Sequence, residues 1–441
     1  MSAAASAATI GAYYYPWYAN NFHGGQYVRR DLVPPQYPML GEYNDRDSSV
    51  LSQHMAWSRQ ANISVWAASW WGAGGTDDVT LLKYILPHSD LGDIKIAIHY
   101  ETQGRTNEYT NFDSQYSDIK YLAANYFGHA NYYRIDGRPV LFLYQAGVMF
   151  LFGLLDTVVS QMRSAAAAYG YDLYIIGDGA WGPPDQDVLE GISLVDALTN
   201  YDVYGSMGAT GYAGQRAVNQ YYTYQKQWRK LTQSIGKSFV PAAMPGFNDK
   251  GVRDGNTPLS RQLTQNSDYG TLFQAMVSQA VQLIDPTCDN LLMIVSFNEW
   301  HEDTQIEPVS VADATNVDMS STGNAYTYGL AYEGYGEKYL DILKVATTSS
   351  TSYYYSYSAP FAHLYYRWLG AVGLFSFTLV AAAFVLALKR LRSSHSSPNM
   401  DTSDLLSPQN DNNRTLSQSK RKKSKKKTRD TLRNNHSGFL S

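Results

Sequence analysis

The chain has almost no cysteine: Cys288 is the only one in 441 residues. An intrachain disulfide is therefore excluded, and cysteine usage argues neither for nor against an oxidising compartment. A single thiol close to an apolar run is typical of an inert core residue, so we do not expect a cysteine nucleophile.

Two further patterns are missing, the ligand spacing of a metal site and the glycine-rich loop of a phosphate site. His99 and His301 are not part of a spaced His, Cys and Asp set, so we expect them to form hydrogen bonds rather than to bind metal. The stretch from Gly72 to Gly75 lacks the Lys and Ser or Thr that complete a phosphate loop, and it is typical of a turn. We therefore expect no metal and no other cofactor.

Positive charge is scarce in most of the chain. Residues 1–388 contain 22 Lys and Arg against 35 Asp and Glu, whereas residues 389–441 contain 13 against 4. An acidic body argues against nucleic acid as a partner. The basic cluster at 420–429 is compatible with a solvated tail, a contact with anionic lipid, or a trafficking or nuclear-type signal. The neighbouring apolar segment favours the lipid contact.

That apolar segment, residues 368–388, contains 21 residues without a charge and is long enough to cross a bilayer as a helix. Aromatic residues precede it and basic residues follow it, which predicts a cytosolic C-terminus and a luminal or extracellular body. We predict a single-pass membrane protein of the Golgi, of another secretory-pathway membrane or of the cell surface. Since Met1–Thr9 lacks the features of a signal peptide, we also expect a signal sequence upstream of this start.

The chain divides by composition into four parts. We predict a catalytic body at 1–346, a stalk rich in Ser, Thr and Tyr at 347–367, the membrane span at 368–388 and a disordered basic tail at 389–441. We expect the protein to be a monomer.

In the body, short apolar runs alternate with amphipathic stretches, which predicts a (β/α)8 TIM barrel. The predicted strands are Ile10–Tyr15, Val65–Ser69, Lys95–His99, Val140–Tyr144, Leu173–Gly177, Val195–Tyr201, Ser238–Ala243 and Leu292–Phe297. The predicted helices include Ser48–Ala61, Tyr116–Tyr126, Leu155–Tyr169 and Asn219–Ile235.

Two carboxylates follow the eighth predicted strand directly, Glu299 and Glu302. Barrel enzymes carry their chemistry at the C-terminal ends of the strands. Cleavage of a glycosidic bond needs two carboxyl groups in different protonation states. The pair therefore predicts a glycosidase, although solvated acids at a strand end are also common.

Aromatic and charged residues at the other predicted strand ends suit a sugar-binding cleft, because rings stack on sugar faces and polar groups bind hydroxyls. The residues at or near these strand ends are Tyr14, Tyr15, Trp17, Tyr18, Trp70, Trp71, His99, Glu101, Tyr144, Asp196, Tyr201 and Arg253.

On these residues the chain resembles glycoside hydrolase family 99, the endo-α-1,2-mannosidases and endo-α-1,2-mannanases. The likeness extends from about residue 10 to 345, and its motif at Phe297–Glu307 is close to diagnostic. The segments that carry it are Tyr13–Asn20, Tyr37–Tyr43, Ser69–Trp71 and Phe297–Glu307, with a weaker match at Pro245–Phe247 and Arg253.

The resemblance implies a retaining enzyme that cleaves internal α-1,2-mannosidic linkages, including those of glucosylated high-mannose glycans. Glu299 matches the residue that deprotonates the sugar 2-hydroxyl, whose oxygen then attacks the anomeric carbon and gives a 1,2-anhydro sugar. Glu302 matches the general acid for the leaving oxygen, which later acts as the base for water. The resemblance also implies that Tyr14 or Tyr15, Trp71, Glu101, Tyr144 and Arg253 line the sugar subsites, and we predict that Trp300 binds substrate as well. The partner is then a mannose-containing oligosaccharide.

The sequence departs from the family pattern in four places: Asp303 replaces a usual Gly, Gln145 replaces an expected Asp, Asn200–Asp202 matches poorly, and the loop Asn21–Pro35 is shorter. Two alternatives stay open. One is a related barrel protein of polysaccharide biosynthesis, and the other is a non-catalytic, membrane-anchored glycan-binding protein. The intact pair of glutamates argues against the second.

Overall fold

A computed structural model describes residues 7–102, 114–184 and 188–348. Among these residues, no helix has the length and apolar character needed to cross a membrane. The predicted membrane span and basic tail, and all of the predicted stalk except residues 347 and 348, lie outside the described part of the chain.

Twelve strands are present in the described residues. They are β1 (Thr9–Tyr14), β2 (Ile63–Trp70), β3 (Lys95–Tyr100), β4 (Arg134–Ile135), β5 (Arg138–Leu143), β6 (Tyr174–Asp178), β7 (Ala197–Thr199), β8 (Ser238–Phe239), β9 (Ala242–Ala243), β10 (Leu291–Ile294), β11 (Val309–Thr315) and β12 (Tyr332–Gly336).

The main sheet is parallel and curled, in the order β9-β10-β1-β2-β3-β5-β6-β7-β8, with β4 added antiparallel to β5. Only Val240 and Pro241 separate β8 from β9. The amide of Val240 donates to Leu198 of β7 (2.9 Å), and Pro241 accepts from Met293 of β10 (3.0 Å). The segment 238–243 therefore bonds to both ends of the sheet, which is the strand order of a (β/α)8 barrel.

The barrel strands are buried on both faces, which explains why their sequences are continuous apolar runs. In β2, for example, every residue except Ser64 is buried. All eight predicted barrel strands are present, with shifted ends. The last one ends at Ile294 instead of Phe297, and a cis peptide bond joins Val295 to Ser296.

Helices follow the barrel strands and cover the sheet. They are α1 (Ala19–Phe22), α2 (Ser48–Gln60), α3 (Thr76–Thr80), α4 (Gln115–Asn125), α5 (Ala146–Leu151), α6 (Leu155–Ala167), α7 (Leu189–Leu194), α8 (Val203–Met207), α9 (Gly214–Ser234), α10 (Thr271–Ala280) and α11 (Lys338–Thr348).

Helix α9 shows why these segments are helical. Its buried residues recur at the three- and four-residue spacing of one helix face, so a single stripe packs on the sheet. These residues are Val218, Tyr221, Tyr222, Gln225, Trp228 and Thr232.

Strands β11 and β12 form a separate antiparallel pair after the eighth barrel strand, which the sequence analysis did not predict. Strand β11 is exposed along most of its length and lacks the apolar alternation that marks a half-buried strand. Its position matters because the loop that carries Glu299 and Glu302 lies between β10 and β11.

Candidate active site

The loop after β10 is fastened to the end of β1 by one side chain. The Oδ1 of Asn298 accepts from the Tyr15 amide (2.7 Å), and its Nδ2 donates to the Tyr15 carbonyl (3.0 Å). The Tyr18 hydroxyl donates to the Asn298 carbonyl (2.7 Å). These buried bonds fix the backbone from which Glu299 and Glu302 project.

Glu299 is buried, and its two carboxylate oxygens have different environments. The Oε1 atom lies 2.9 Å from both the backbone amide and the Nδ1 of His301. The Oε2 atom accepts no hydrogen bond from any residue of the described ranges. Burial lowers the pKa of His301, but the charge and hydrogen bond of Glu299 outweigh it, so this pKa is raised. One oxygen is thus held in place, and the other can accept a proton.

Glu302 has a different partner, since its Oε1 accepts from Nη2 of Arg253 at 2.5 Å. Burial raises the pKa of Glu302 to about 7, because it disfavours the charged form. Arg253 opposes this rise, and the charge of Glu299 adds to it. Near neutral pH, Glu302 is therefore protonated in a substantial fraction of molecules and can donate a proton.

Arg253 is itself held by the buried Asp249. The Nε of Arg253 lies 3.2 Å from Oδ2 of Asp249, and the same oxygen accepts from Asn256 at 2.7 Å. The guanidinium is therefore fixed on one side by Asp249 and contacts Glu302 on the other. This arrangement places Arg253 against the predicted general acid.

A third carboxyl group, that of Glu101, lies within electrostatic range of the pair. Burial raises the pKa of Glu101 to about 8, and the charges of Glu299 and Glu302 contribute to the rise. The Ser69 hydroxyl donates to Glu101 (2.8 Å) and accepts from the indole of Trp71 (3.0 Å). Glu101 is therefore mainly protonated at neutral pH and suited to donate to a sugar hydroxyl.

Four aromatic rings form one face next to the carboxyl groups. The hydroxyls of Tyr15 and Tyr201 are hydrogen-bonded to each other, and Tyr144 lies edge-on to Tyr201 with centroids 5.3 Å apart. His99 stacks on Tyr201 at 5.4 Å, and burial lowers the pKa of His99 to about 3. At neutral pH the imidazole is uncharged, so this face offers hydroxyls and rings rather than charge.

A second aromatic group surrounds His301. Trp17 lies 4.4 Å from His23 and 6.2 Å from Trp71, measured between ring centroids. His23 in turn lies edge-on to His301 at 4.9 Å. Trp71 is 37% exposed, so its ring is accessible from solvent.

A cleft with a volume of about 500 Å³ opens next to Glu302. Its lining is mainly aromatic and acidic. The lining residues are Tyr144, Gln145, Asp178, Trp181, Tyr201, Asp202, Tyr204, Met244, Phe247, Val295, Glu302 and Thr304.

Two of the predicted substrate-binding residues, Tyr14 and Trp300, lie in the core and not at the cleft. Tyr14 stacks on Trp66 at 4.1 Å, and its hydroxyl bonds to His54 of α2. Side chains alternate along a strand, so Tyr15 points inward while Tyr14 faces the helices. The indole of Trp300 is buried and donates to Glu307 (2.8 Å).

The structure brings the other predicted residues together around Glu299 and Glu302, and adds some that the sequence analysis did not assign. Tyr201 is one of the strand-end residues named from the sequence, whereas Asp178, the last residue of β6, was not named although the same argument could have identified it. His23 lies in an irregular loop, whose position no periodicity predicts. The described residues contain no cluster of His, Cys, Asp and Glu that could hold a metal ion.

Asp303 has a structural explanation at the position where the resemblance predicts glycine. Its φ is +49°, in the left-handed region that glycine favours and aspartate tolerates. Its buried carboxylate accepts from Arg29 (2.5 Å) and from Arg261 (3.2 Å). Burial would raise the pKa of Asp303, but the two guanidinium groups lower it.

Replacement of Asp303 by alanine is expected to lower the free energy of unfolding by about 3 kcal/mol, because two buried guanidinium groups would lose their shared carboxylate. Urea denaturation measures this change. Asp172→Ala is the control, since Asp172 pairs with Arg138 at the surface and its side chain is 73% exposed. Its loss should stay below about 1 kcal/mol. Equal losses in the two variants would contradict the assignment.

Comparisons with known proteins agree with this geometry. The profile of glycosyl hydrolase family 99 matches residues 7–331. Rat glycoprotein endo-alpha-1,2-mannosidase is 29% identical over 335 residues, covering 68% of this chain and 67% of the relative. Human glycoprotein endo-alpha-1,2-mannosidase-like protein is 26% identical over 344 residues, covering 67% of each.

Among solved structures, the GH99 endo-alpha-mannosidase from Bacteroides thetaiotaomicron has a TM-score of 0.51 at 22% identity, covering 77% of this chain and 98% of that chain. The likeness in structure shows the shared fold, and the match to the family profile confirms the predicted family and the prediction of a glycoside hydrolase. The chain therefore belongs to glycosyl hydrolase family 99.

Proposed function

We propose that the protein is a retaining endo-acting α-mannosidase that cleaves internal α-1,2-mannosidic linkages of high-mannose glycans, including glucosylated ones. The observation that carries the proposal is the contrast between two neighbouring carboxyl groups. Glu299 presents a buried oxygen that accepts no hydrogen bond from the described residues, whereas Glu302 has a pKa raised to about 7 by burial. One group is suited to accept a proton and the other to donate one.

In the first step Glu299 removes the proton of the sugar 2-hydroxyl. The oxygen attacks the anomeric carbon, the glycosidic bond breaks, and Glu302 gives its proton to the leaving oxygen. The product in the site is a 1,2-anhydro sugar. Glu302, now ionised, then takes a proton from water, whose oxygen attacks the anomeric carbon. The bond between this carbon and the 2-oxygen breaks, and the 2-oxygen regains a proton from Glu299. Two inversions at the anomeric carbon give net retention.

The test is incubation of the purified protein with defined high-mannose glycans, with and without terminal glucose, followed by mass spectrometry of the products. The proposal predicts release of a di- or larger oligosaccharide from the non-reducing end. Release of single mannose units would contradict endo action. Binding without any cleavage would instead favour the glycan-binding alternative.

Replacement of Arg253 by glutamine is expected to move the alkaline limb of the kcat/KM profile to higher pH. Glu302 must be protonated to act as the acid, so activity falls as pH rises through its pKa of about 7. The positive charge of Arg253 lowers that pKa, and its removal therefore raises it. A profile measured from pH 5 to 9 checks the shift. An alkaline limb that stays in place, or moves to lower pH, would contradict the prediction that Arg253 lowers the pKa of Glu302.

We further propose that the catalytic body is luminal or extracellular and is anchored by the apolar segment 368–388. The support is the uncharged length of this segment and the basic residues that follow it. Protease treatment of intact microsomes from cells expressing the full chain tests the orientation. The body should be protected and an epitope after residue 430 digested. Digestion of the body in intact vesicles would overturn the proposed topology.

A further inference from the structure

The cleft of about 500 Å³ lies on the side of the general acid. Among the described residues, its lining includes Glu302 but not Glu299. In the proposed function Glu302 protonates the leaving oxygen, so the leaving glycan extends from Glu302 into this cleft. The inference that follows therefore rests on the proposed function.

The far wall of the cleft is built from residues that follow three neighbouring strands. Gln145 comes after β5, Trp181 after β6 and Tyr201 after β7, and the buried Asp178 contacts all three. Its Oδ1 accepts from the Tyr201 amide (2.9 Å) and from the indole Nε1 of Trp181 (3.1 Å). Its Oδ2 accepts from the Gln145 amide (3.2 Å).

We propose that Asp178 is the positioning residue of the leaving-group pocket: its carboxylate holds the ends of β5, β6 and β7 in the arrangement that accepts the departing oligosaccharide. Asp178 belongs to the lining of the cleft, but its carboxylate oxygens are engaged by the three residues that they hold, so it acts through those residues. Gln145 shows the need for such a tie, because its φ of +53° lies in the left-handed region. A residue other than glycine keeps that strained conformation only where its surroundings maintain it.

The pocket suits a neutral sugar. Tyr204 and Phe247 stack with centroids 4.1 Å apart and present flat apolar surface beside Glu302. The described lining contains the carboxyl groups of Asp178 and Asp202 but no Lys or Arg, so it disfavours anionic sugars. We therefore assign it to uncharged mannose units.

The variant Asp178→Asn tests this assignment with little change in size. The amide oxygen of the asparagine can replace Oδ1 of Asp178. Its NH₂ group then faces the Gln145 amide, and because both groups are donors, this hydrogen bond is lost. The wall of the pocket thereby loses a buried hydrogen bond, so KM for an α-1,2-linked mannose oligosaccharide should rise about 10-fold. The glycosyl fluoride of the same non-reducing-end sugars has a leaving group too small to fill the pocket. Its kcat/KM should change less than about 2-fold.

Asp285→Asn is the matched control. Asp285 is equally buried and accepts from the Thr287 and Phe239 amides, but it precedes β10 and lies at the opposite end of the barrel. Asp285→Asn should change neither the KM for the oligosaccharide nor the kcat/KM for the glycosyl fluoride. Equal losses on both substrates in Asp178→Asn would overturn the proposal, since they indicate a general structural role. An unchanged KM for the oligosaccharide would also overturn it.

Calorimetry separates failure of this inference from failure of the proposed function. The leaving-group oligosaccharide alone, an α-linked mannotriose, is titrated into the wild type and Asp178→Asn. About 10-fold weaker binding to the variant supports the pocket, even if the wild type cleaves no mannoside. Equal affinities, or no binding to the wild type, would overturn it.

Discussion

Replacement of Glu302 by glutamine is expected to lower kcat/KM on α-1,2-linked mannose oligosaccharides by about 10³-fold. A mannoside oxygen is a poor leaving group and needs a proton as the bond breaks. Burial raises the pKa of Glu302 to about 7 and so supplies a protonated carboxyl near neutral pH. Glutamine keeps the shape and the contact with Arg253 but cannot give up a proton.

The choice of substrate makes this prediction specific. Fluoride leaves without protonation, and kcat/KM reports only the steps up to the first irreversible one, so the glycosyl fluoride should keep most of its kcat/KM. Glu333→Gln is the control for the substitution itself. Glu333 lies on β12, away from the cleft, and pairs with Lys338. Full activity of Glu302→Gln on the oligosaccharide would remove Glu302 from the mechanism.

Replacement of Glu299 by glutamine is expected to cost about 10²-fold or more on both substrates. Glu299 acts on the sugar and not on the leaving group, so the nature of the leaving group should not rescue the variant. The amide can still accept the hydrogen bonds of His301, which keeps the loop in place. Steady-state kinetics on the oligosaccharide and on the fluoride measure the loss.

A loss confined to the oligosaccharide would contradict this assignment, since it would give Glu299 the behaviour of the general acid. A rate close to wild type on both substrates would move the first step to another residue. Thermal unfolding of the variant is the control for folding, because Glu299 is buried and bonded to Ser296 and His301.

The two glutamates lie in one short loop, yet their surroundings give them different chemistry. Glu299 interacts with His301, whose pKa it raises, and Glu302 interacts with Arg253, whose charge limits the effect of burial. The third carboxyl, Glu101, lacks a cation among the main influences on its pKa, which burial raises to about 8. Distinct partners thus give three residues of one type the different environments that the proposed roles in proton acceptance, proton donation and binding require.

Much of this arrangement could be predicted from the sequence because strands buried on both faces leave a strong apolar signal. The apolar runs that form the eight barrel strands located the strand ends, and those ends located Glu101, Tyr144, Glu299 and Glu302. Strand β11 was missed because it is exposed, and short β4 contains only two residues.

The direction of individual side chains could not be predicted in the same way. Tyr14 and Tyr15 are adjacent and alike, and a strand buried on both faces gives no polarity pattern to tell inward from outward. Trp300 pairs with Glu307, which is seven residues away and has no local signature. Asp178 holds its three partners across sequence separations of 3 to 33 residues, which only the fold brings together.

The most direct test is a crystal structure of Glu302→Gln with an uncleaved α-1,2-linked mannose oligosaccharide. The account predicts the side chain at position 302 within about 2.6–3.2 Å of the glycosidic oxygen, and Glu299 within the same distance of the 2-hydroxyl of the sugar being cleaved. A linkage bound away from either side chain, with neither a direct contact nor one bridging water, would contradict it.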